Sequence, residues 1–159
     1  MAKSNTLLMR ISLPAEHHDE VGLPFGYNFA PFVPSIHAAK ARSLLNLAYQ
    51  NGGGDVLTWE DWWPKLVADP EYDQELCFVV IDLHTSNIVA FAQCWNTGFI
   101  KDIAVHPGTQ RRGLGQALMS HIFQTLDDRG LEHCSLKVRS DNPSNAATFY
   151  RSIGMEIVS

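Results

Sequence analysis

The sequence predicts an α/β chain of α+β type, built on a mixed, mainly antiparallel central sheet flanked by helices. Three observations support this. Helical periodicity comes early, between Ser35 and Val67. Three apolar runs then follow one another across short turns, as in an antiparallel meander, and the remainder alternates strand, helix, strand, helix, strand.

In chain order, Leu7 to Leu13 is expected as a first strand. Pro14, Pro24, Pro31 and Pro34, with Gly22 and Gly26, predict an irregular loop up to Pro34. Ile36, Ala39, Leu44, Leu45, Leu47 and Ala48 then fit a helix from Ser35 to Tyr49, with Ser35 as its cap and Asn51-Gly52-Gly53-Gly54 as its end. Thr58-Trp59-Glu60-Asp61 has the form of a capping box and opens a second helix, which reaches Val67 before Asp69-Pro70 and contains Pro64. Leu76 to Leu83 and Ile88 to Trp95 make a hairpin across His84-Thr85-Ser86-Asn87, and Phe99 to Val105 adds a strand after Asn96-Thr97-Gly98. Leu114, Ala117, Leu118, Ile122, Thr125 and Leu126 line one face of a helix that Gly130 closes in the left-handed conformation. Cys134, Leu136 and Val138 alternate with polar residues as a strand. Ala146, Phe149, Tyr150 and Ile153 form a last helical stripe before Gly154, and Met155 to Val158 a last strand.

A chain of 159 residues is expected to form one domain, 1–159, able to bury a core without metal or disulfides. Its 45% apolar and 18% charged composition belongs to globular rather than disordered chains. A formal charge of -5 gives no general attraction to nucleic acid or to an anionic membrane, so neither is expected as a partner; a cationic small molecule suits it better. Cys77, Cys94 and Cys134 lie in apolar stretches without a CxxC pair, and are expected to be buried and reduced, which points to the cytoplasm. No stretch approaches the roughly 20 apolar residues of a membrane span. His17 and His18 lack converging ligands, so no metal is expected and a solvated loop is the better reading.

The most informative segment is Val105-His106-Pro107-Gly108-Thr109-Gln110-Arg111-Arg112-Gly113-Leu114-Gly115, between a strand and an amphipathic helix. A glycine-rich turn of this kind leaves backbone N–H groups unpaired and aimed at one spot, where the positive end of the helix dipole also points. Gly113 and Gly115 let a diphosphate approach the backbone, and Arg111 and Arg112 add positive charge. Each hydrogen bond to a charged group contributes roughly 1.5–3 kcal/mol. The segment is neither a nucleotide P-loop, which needs Lys-Ser or Lys-Thr after its second glycine, nor a G-x-G-x-x-G dinucleotide fingerprint. A plain surface-helix start remains the bland alternative.

Gln110-Arg111-Arg112-Gly113-Leu114-Gly115 resembles the acyl-CoA-binding motif of the GCN5-related N-acetyltransferase (GNAT) superfamily, Gln/Arg-x-x-Gly-x-Gly/Ala, and Val105-His106-Pro107 is similar to that family's strand exit. A second, separate stretch agrees: Lys137-Val138-Arg139-Ser140-Asp141-Asn142-Pro143, then Asn145-Ala146-Ala147-Thr148-Phe149-Tyr150 up to Gly154-Met155, resembles the family's strand, Asn-containing loop and Ala-x-x-x-Tyr helix. The resemblance is specific from about Phe99 to Val158.

The resemblance implies the GNAT acyl-CoA N-acyltransferase fold, acetyl-CoA as acyl donor, and transfer of the acetyl group to the primary amine of a small molecule or peptide by direct attack. It implies that coenzyme A sits where Phe99 to Val105 parts from Cys134 to Arg139, its pantetheine arm paired with the main chain of Ile103 and Val105 like an added strand. A backbone N–H near Val105 would stabilise the oxyanion, and Tyr150 would supply a proton to the departing thiolate. Tyr150 also fits a core position on its helix, and the two roles are compatible. Asn142 or Asn145 would face the cofactor arm, although helix capping alone accounts for Asn142 before Pro143.

The amine must lose a proton, and its base is unassigned. The family's usual position aligns with Phe99 or Lys101, neither of them a base. Alternation turns Asp102 to the other face from Lys101 and Ile103; Glu60, Glu71, Glu75 and His106 are candidates directly or through water, though each reads more simply as a solvated surface residue. Trp59, Trp62 and Trp63 beside Glu60, Asp61, Glu71, Asp73 and Glu75 would suit a cationic acceptor, though tryptophans at helical spacing more often form core. A noncatalytic acyl-CoA-binding sensor or interaction domain is the alternative function. The chain stops at Ser159, before the final strand that many members of the family carry, so either the sheet is shorter or another molecule, such as the second copy of a homodimer, completes its edge.

Overall fold

The computed structural model describes residues 6–15, 21–50, 52, 54–140 and 145–159. Strand β1 is Thr6–Ser12 and β2 is Tyr27–Pro31; helices α1 (Pro34–Tyr49) and α2 (Trp59–Ala68) follow. Strands β3 (Cys77–Asp82), β4 (Ile88–Cys94) and β5 (Phe99–Val105) lead to α3 (Leu114–Asp128), β6 (His133–Arg139), α4 (Ala146–Ser152) and β7 (Glu156–Ile157). The strands form one sheet in the order β2-β3-β4-β5-β6-β1-β7. Among the described residues only β5 and β6 pair in parallel; the other pairings are antiparallel, so the sheet is mixed as the element order predicts.

Two apolar layers cover the sheet. On one side Leu114, Leu118, Ile122, Phe123 and Leu126 of α3 pack with Met9, Val80, Ala92, Leu136 and Met155. On the other, Ala38, Ala41 and Leu45 of α1 and Trp62 and Leu66 of α2 cover Val79, Phe91 and Ala104. All three cysteines are buried and free, as expected, and burial pushes the Cys77 and Cys94 thiols up to about 12.

Several expectations are corrected. The proline-rich stretch before Pro34 contains β2, because Pro31 takes the terminal place of an edge strand, where a missing N–H is tolerated. Helix α1 is capped at Val33 rather than Ser35: Pro34 fills the first turn, and the Val33 N–H donates to His37 Nδ1 at 2.9 Å. Its buried face runs through His37, Ala38, Ala41, Arg42, Leu44 and Leu45, whereas Ile36 and Leu47 are exposed. Thr58 does cap α2, accepting from the Asp61 N–H at 3.1 Å, and Gly130 does adopt the left-handed conformation after α3, with φ of 80°.

The place beside β6 is taken by β1 of the same chain. The two strands pair antiparallel along the whole of β1, from Thr6↔Arg139 to Ser12↔His133, and β7 lies against the far edge of β1. The order of elements along the chain does not reveal this. Outer edges remain at β2 and β7. His17, His18, Asn51 and Gly53 lie outside the described residues.

Met9 is fully buried between the α3 layer and the sheet. Met9→Ala is expected to cost about 2–5 kcal/mol, the usual range for a buried methionine, read as a lower urea midpoint with an unchanged slope.

Candidate active site

Strands β5 and β6 run side by side only at Phe99↔Ser135 and Ile100↔Leu136, and beyond those pairs they part. On the β4 side the register slips by one residue: Cys94 faces Ile100, whereas Gln93 faces Asp102, which leaves Lys101 unpaired in a bulge. The bulge changes which face each side chain takes. Ile100 packs in the α3-side core, and Ala104, which plain alternation would put beside it, packs in the α1/α2-side core.

The main chain follows from the same register. The His106 N–H donates to the Val89 carbonyl at 2.7 Å, so Ala104 and Asp102 turn their backbone groups to β4, while Ile103 and Val105 turn theirs to the open side. The groups of Ile103 are not free. Its N–H donates to the Tyr49 hydroxyl at 3.2 Å, and its carbonyl accepts from that hydroxyl at 3.3 Å. Beside Val105 no strand is paired on that edge.

At the end of β5 the chain enters the glycine turn. Arg111 and Gly113 adopt left-handed conformations, φ of 68° and 83°, on either side of Arg112, and Gly113 is the cap of α3 without a side-chain bond. Left-handed residues within a turn gather consecutive N–H groups into a concave anion seat. Gln110, Arg111 and Arg112 are exposed and Leu114 is buried as the first residue of α3. Arg112 Nη1 donates to the Tyr27 hydroxyl at 2.7 Å, which ties the turn to β2. Gly113 is required by its conformation, whereas a Cβ at Gly115 would sit 3.5 Å from the Phe149 ring and 3.8 Å from Val105, in ordinary contact.

Tyr150 is buried in the α3-side core, its ring 5.3 Å from that of Phe149. Burial, and secondarily Cys134, push its hydroxyl up to about 12, so it keeps its proton at neutral pH. Asn145 is exposed with φ of 55° and caps α4 through its carbonyl, which accepts from the Thr148 and Phe149 N–H groups; its side chain makes no cap bond. Asn142 lies outside the described residues.

The candidate bases are scattered. Glu60 is exposed, Glu75 is paired with Arg129 at 3.0 Å, and His106 Nδ1 accepts from the Gly108 N–H at 2.9 Å. Asp102 differs: it is buried, and its oxygens meet the Tyr49 hydroxyl at 3.3 Å, Trp62 Nε1 at 3.4 Å and Lys101 Nζ at 3.1 Å. Of the tryptophans, Trp62 is buried, Trp63 packs against Phe32 and Tyr72, and Trp59 is exposed, so they do not form one aromatic box. Among the described residues no group of three His, Cys, Asp or Glu is placed to hold a metal ion. A groove of about 450 Å³ lies elsewhere, between β2, β3 and α3, lined by Phe29, Phe78 and His121, and shares no residue with the turn or the parted strands.

Arg42, Asn46 and Tyr49 escaped the sequence reading. They sit four and three residues apart on the inner face of α1, a spacing that signals a shared face but looks like core when the neighbours are Ala41, Leu45 and Ala48.

A mixed sheet with two parted strands and a left-handed glycine turn at their mouth has the architecture of an acyltransferase. Residues 39–155 match the acetyltransferase (GNAT) family, and the chain belongs to that family. A 53-residue segment is 43% identical to the [ribosomal protein bS18]-alanine N-acetyltransferase of Escherichia coli K12, covering 33% of this chain and 35% of that protein. Among solved structures, a GCN5-related N-acetyltransferase from Sphaerobacter thermophilus superposes with a TM-score of 0.82 at 22% identity, over 96% of this chain and 48% of that one. The ribosomal-protein-S18-alanine N-acetyltransferase from Escherichia coli gives a TM-score of 0.65 at 24% identity, over 80% and 76%. The chain thus spans about half of the first of these structures, and the curated match about a third of that relative.

Gly113→Ala puts a side chain into the left-handed region and is expected to destabilise by about 1–2 kcal/mol. Gly115→Ala meets only ordinary contacts and is expected to leave the unfolding midpoint unchanged; paired urea titrations compare the two.

Proposed function

We propose that this chain, acting as one domain over 1–159, is an acetyl-CoA-dependent N-acetyltransferase that moves an acetyl group to the primary amine of a small molecule or peptide. The observation that carries the reading is the open β5 edge at Val105, which runs directly into the left-handed turn at Arg111 and Gly113. An extended donor with a diphosphate at one end matches both parts. The main chain of Val105, and of Ile103 once released by Tyr49, would pair with the pantetheine arm. The N–H groups from Gln110 through Gly115, with Arg111 and Arg112, would hold the diphosphate. Asn145, or Asn142, would line the arm. Bound acetyl-CoA supplies the thioester that the amine attacks.

The protein's own part is to orient and to manage charge. The Val105 N–H would stabilise negative charge on the attacked carbonyl oxygen. Tyr150 would give its proton to the departing sulfur, a role supported by a hydroxyl that stays protonated at neutral pH. The similarity to bacterial alanine N-acetyltransferases supports including an alanyl N-terminus among the acceptors tried.

Calorimetry with acetyl-CoA and coenzyme A, followed by thiol release with a panel of primary amines that includes an alanyl peptide and polyamines, tests the reading. Saturable binding and amine-dependent thiol release are expected, and Tyr150→Phe should lower kcat by about 10²- to 10⁴-fold with little change in acetyl-CoA affinity. Tight binding without turnover on any amine would turn the reading to a noncatalytic acyl-CoA-binding domain, and no binding would end it.

A further inference from the structure

Beyond the bulge at Lys101 the Asp102 side chain lies with Ala104 on the α1/α2 side of the sheet, away from the open edge. Tyr49, the last residue of α1, ties it back. The phenol packs with the α1/α2-side core, and its hydroxyl reaches the backbone of Ile103 where β5 parts from β6. Gly54 leaves room for the ring: a Cβ there would come within 2.5 Å of it. The hydroxyl accepts from the Ile103 N–H and has one proton to donate, to Asp102 Oδ1 or to the Ile103 carbonyl, each at 3.3 Å. One lone pair is left over, and a second is freed where the donor's arm takes the place of Tyr49 on the Ile103 N–H.

We propose that Tyr49 and Asp102 form a relay that removes the acceptor's proton: Tyr49 receives it from the amine nitrogen while passing its own hydroxyl proton to Asp102. The proposal rests on the acetyl-transfer reading and assigns the base that reading lacks. As the neutral amine attacks, the C–N bond forms and its nitrogen becomes cationic and far more acidic than a free ammonium. That nitrogen releases its proton to Tyr49 Oη, the Tyr49 proton moves to Asp102 Oδ1, the C–S bond breaks, and Tyr150 protonates the sulfur. Asp102 then returns its proton to solvent, and the two tyrosines end with one proton each after Tyr150 is reprotonated by water.

The placement suits the division of labour. Tyr49 comes from the α1/α2 side and Tyr150 from the α3 side, so base and acid approach the parted strands from opposite faces. Tyr49 holds its proton firmly, through burial first and then the Asp102 charge, with a smaller push from Tyr150; it relays rather than ionises. The groups facing Asp102 are Lys101 on its own strand, Arg42 and Tyr49 from α1, and Trp62 from α2. Across the β4 pairing stands Gln93, fully buried, with neither amide atom bonded.

The test uses Tyr49→Phe and Asp102→Asn, acetyl-CoA as donor, and methylamine or hydroxylamine as acceptor. With methylamine both variants are expected to lose about 10²- to 10⁴-fold in kcat. With hydroxylamine, a weaker base whose adduct sheds its proton to water readily, the loss should be at least tenfold smaller by the same reasoning. Acetyl-CoA affinity should not weaken in either variant, and amide exchange at Ile103 should quicken in Tyr49→Phe, which removes the hydroxyl that holds that N–H. A merely structural role would lower both amines equally, and that result overturns the relay, as does full activity in either variant. Turnover that survives both changes leaves acetyl transfer standing; no turnover by the unaltered protein with these two amines or with any amine of the panel overturns both. If Asp102→Asn does not fold, Tyr49→Phe, which deletes one oxygen, decides alone.

Discussion

One extra residue in β5 controls the geometry on which the site depends. Because Lys101 has no partner in β4, the strand bends and its later residues are re-aimed. Ile103 and Val105 then carry their side chains into the α3-side core while their backbone groups look toward the gap before β6. Within a sheet such groups would be consumed by the neighbouring strand. Here those of Ile103 are held by the Tyr49 hydroxyl and those of Val105 face no paired strand, and a backbone edge in such a place invites an extended ligand.

The α1/α2 side of the parted strands is polar as well as apolar. Arg42 is buried with a carboxylate only electrostatically near, and burial lowers its affinity for its proton while the Asp102 charge opposes that. Two of its donors go to Asn46 Oδ1 and the Asp55 carbonyl, each at 2.9 Å, and its Cζ lies over the Trp62 ring, 5.2 Å from the centroid. Asn46 in turn donates to the Leu57 carbonyl and accepts from the Leu57 N–H. These bonds strap the connection between α1 and α2 onto α1, so Tyr49 and Trp62 arrive at Asp102 from two directions. Removing one partner from so buried a set would leave others unbonded, a larger penalty than any single bond contributes.

Most of the elements were legible because their periodicities are local. The α3 stripe, the β3–β4 hairpin, the Thr58 cap and the Gly130 stop depend on neighbours within a few residues, and the turn motif was legible for the same reason. What was not legible is long-range. The β1–β6 pairing joins residues more than a hundred positions apart, and nothing in Leu7 to Leu13 says which strand it will meet. The bulge at Lys101 has no glycine to mark it. Alternation separates Asp102 from Ile103, but it turned Lys101 away from the carboxylate that its ammonium in fact meets, and it could not show that Tyr49, from a helix fifty residues earlier, would bond that carboxylate. Pro31 hid β2, since proline argues against a strand unless the strand lies at an edge.

The insertion of β1 explains how β6 can leave β5 at all. A strand that parts from one neighbour must satisfy its backbone on the other edge, or it frays into water. β6 keeps only two register pairs with β5 but is matched residue for residue by β1, from His133 to Arg139, and β1 is itself held from the other side by β7. The buried residues on these strands, Met9, Ile11, Leu136 and Val138, belong to the same core as Leu114 and Leu118 of α3, so the divergent strand is anchored to the helix that the glycine turn begins. The opening is therefore flanked on one side by the bulge in β5 and on the other by the continuous pairing of β6 with β1.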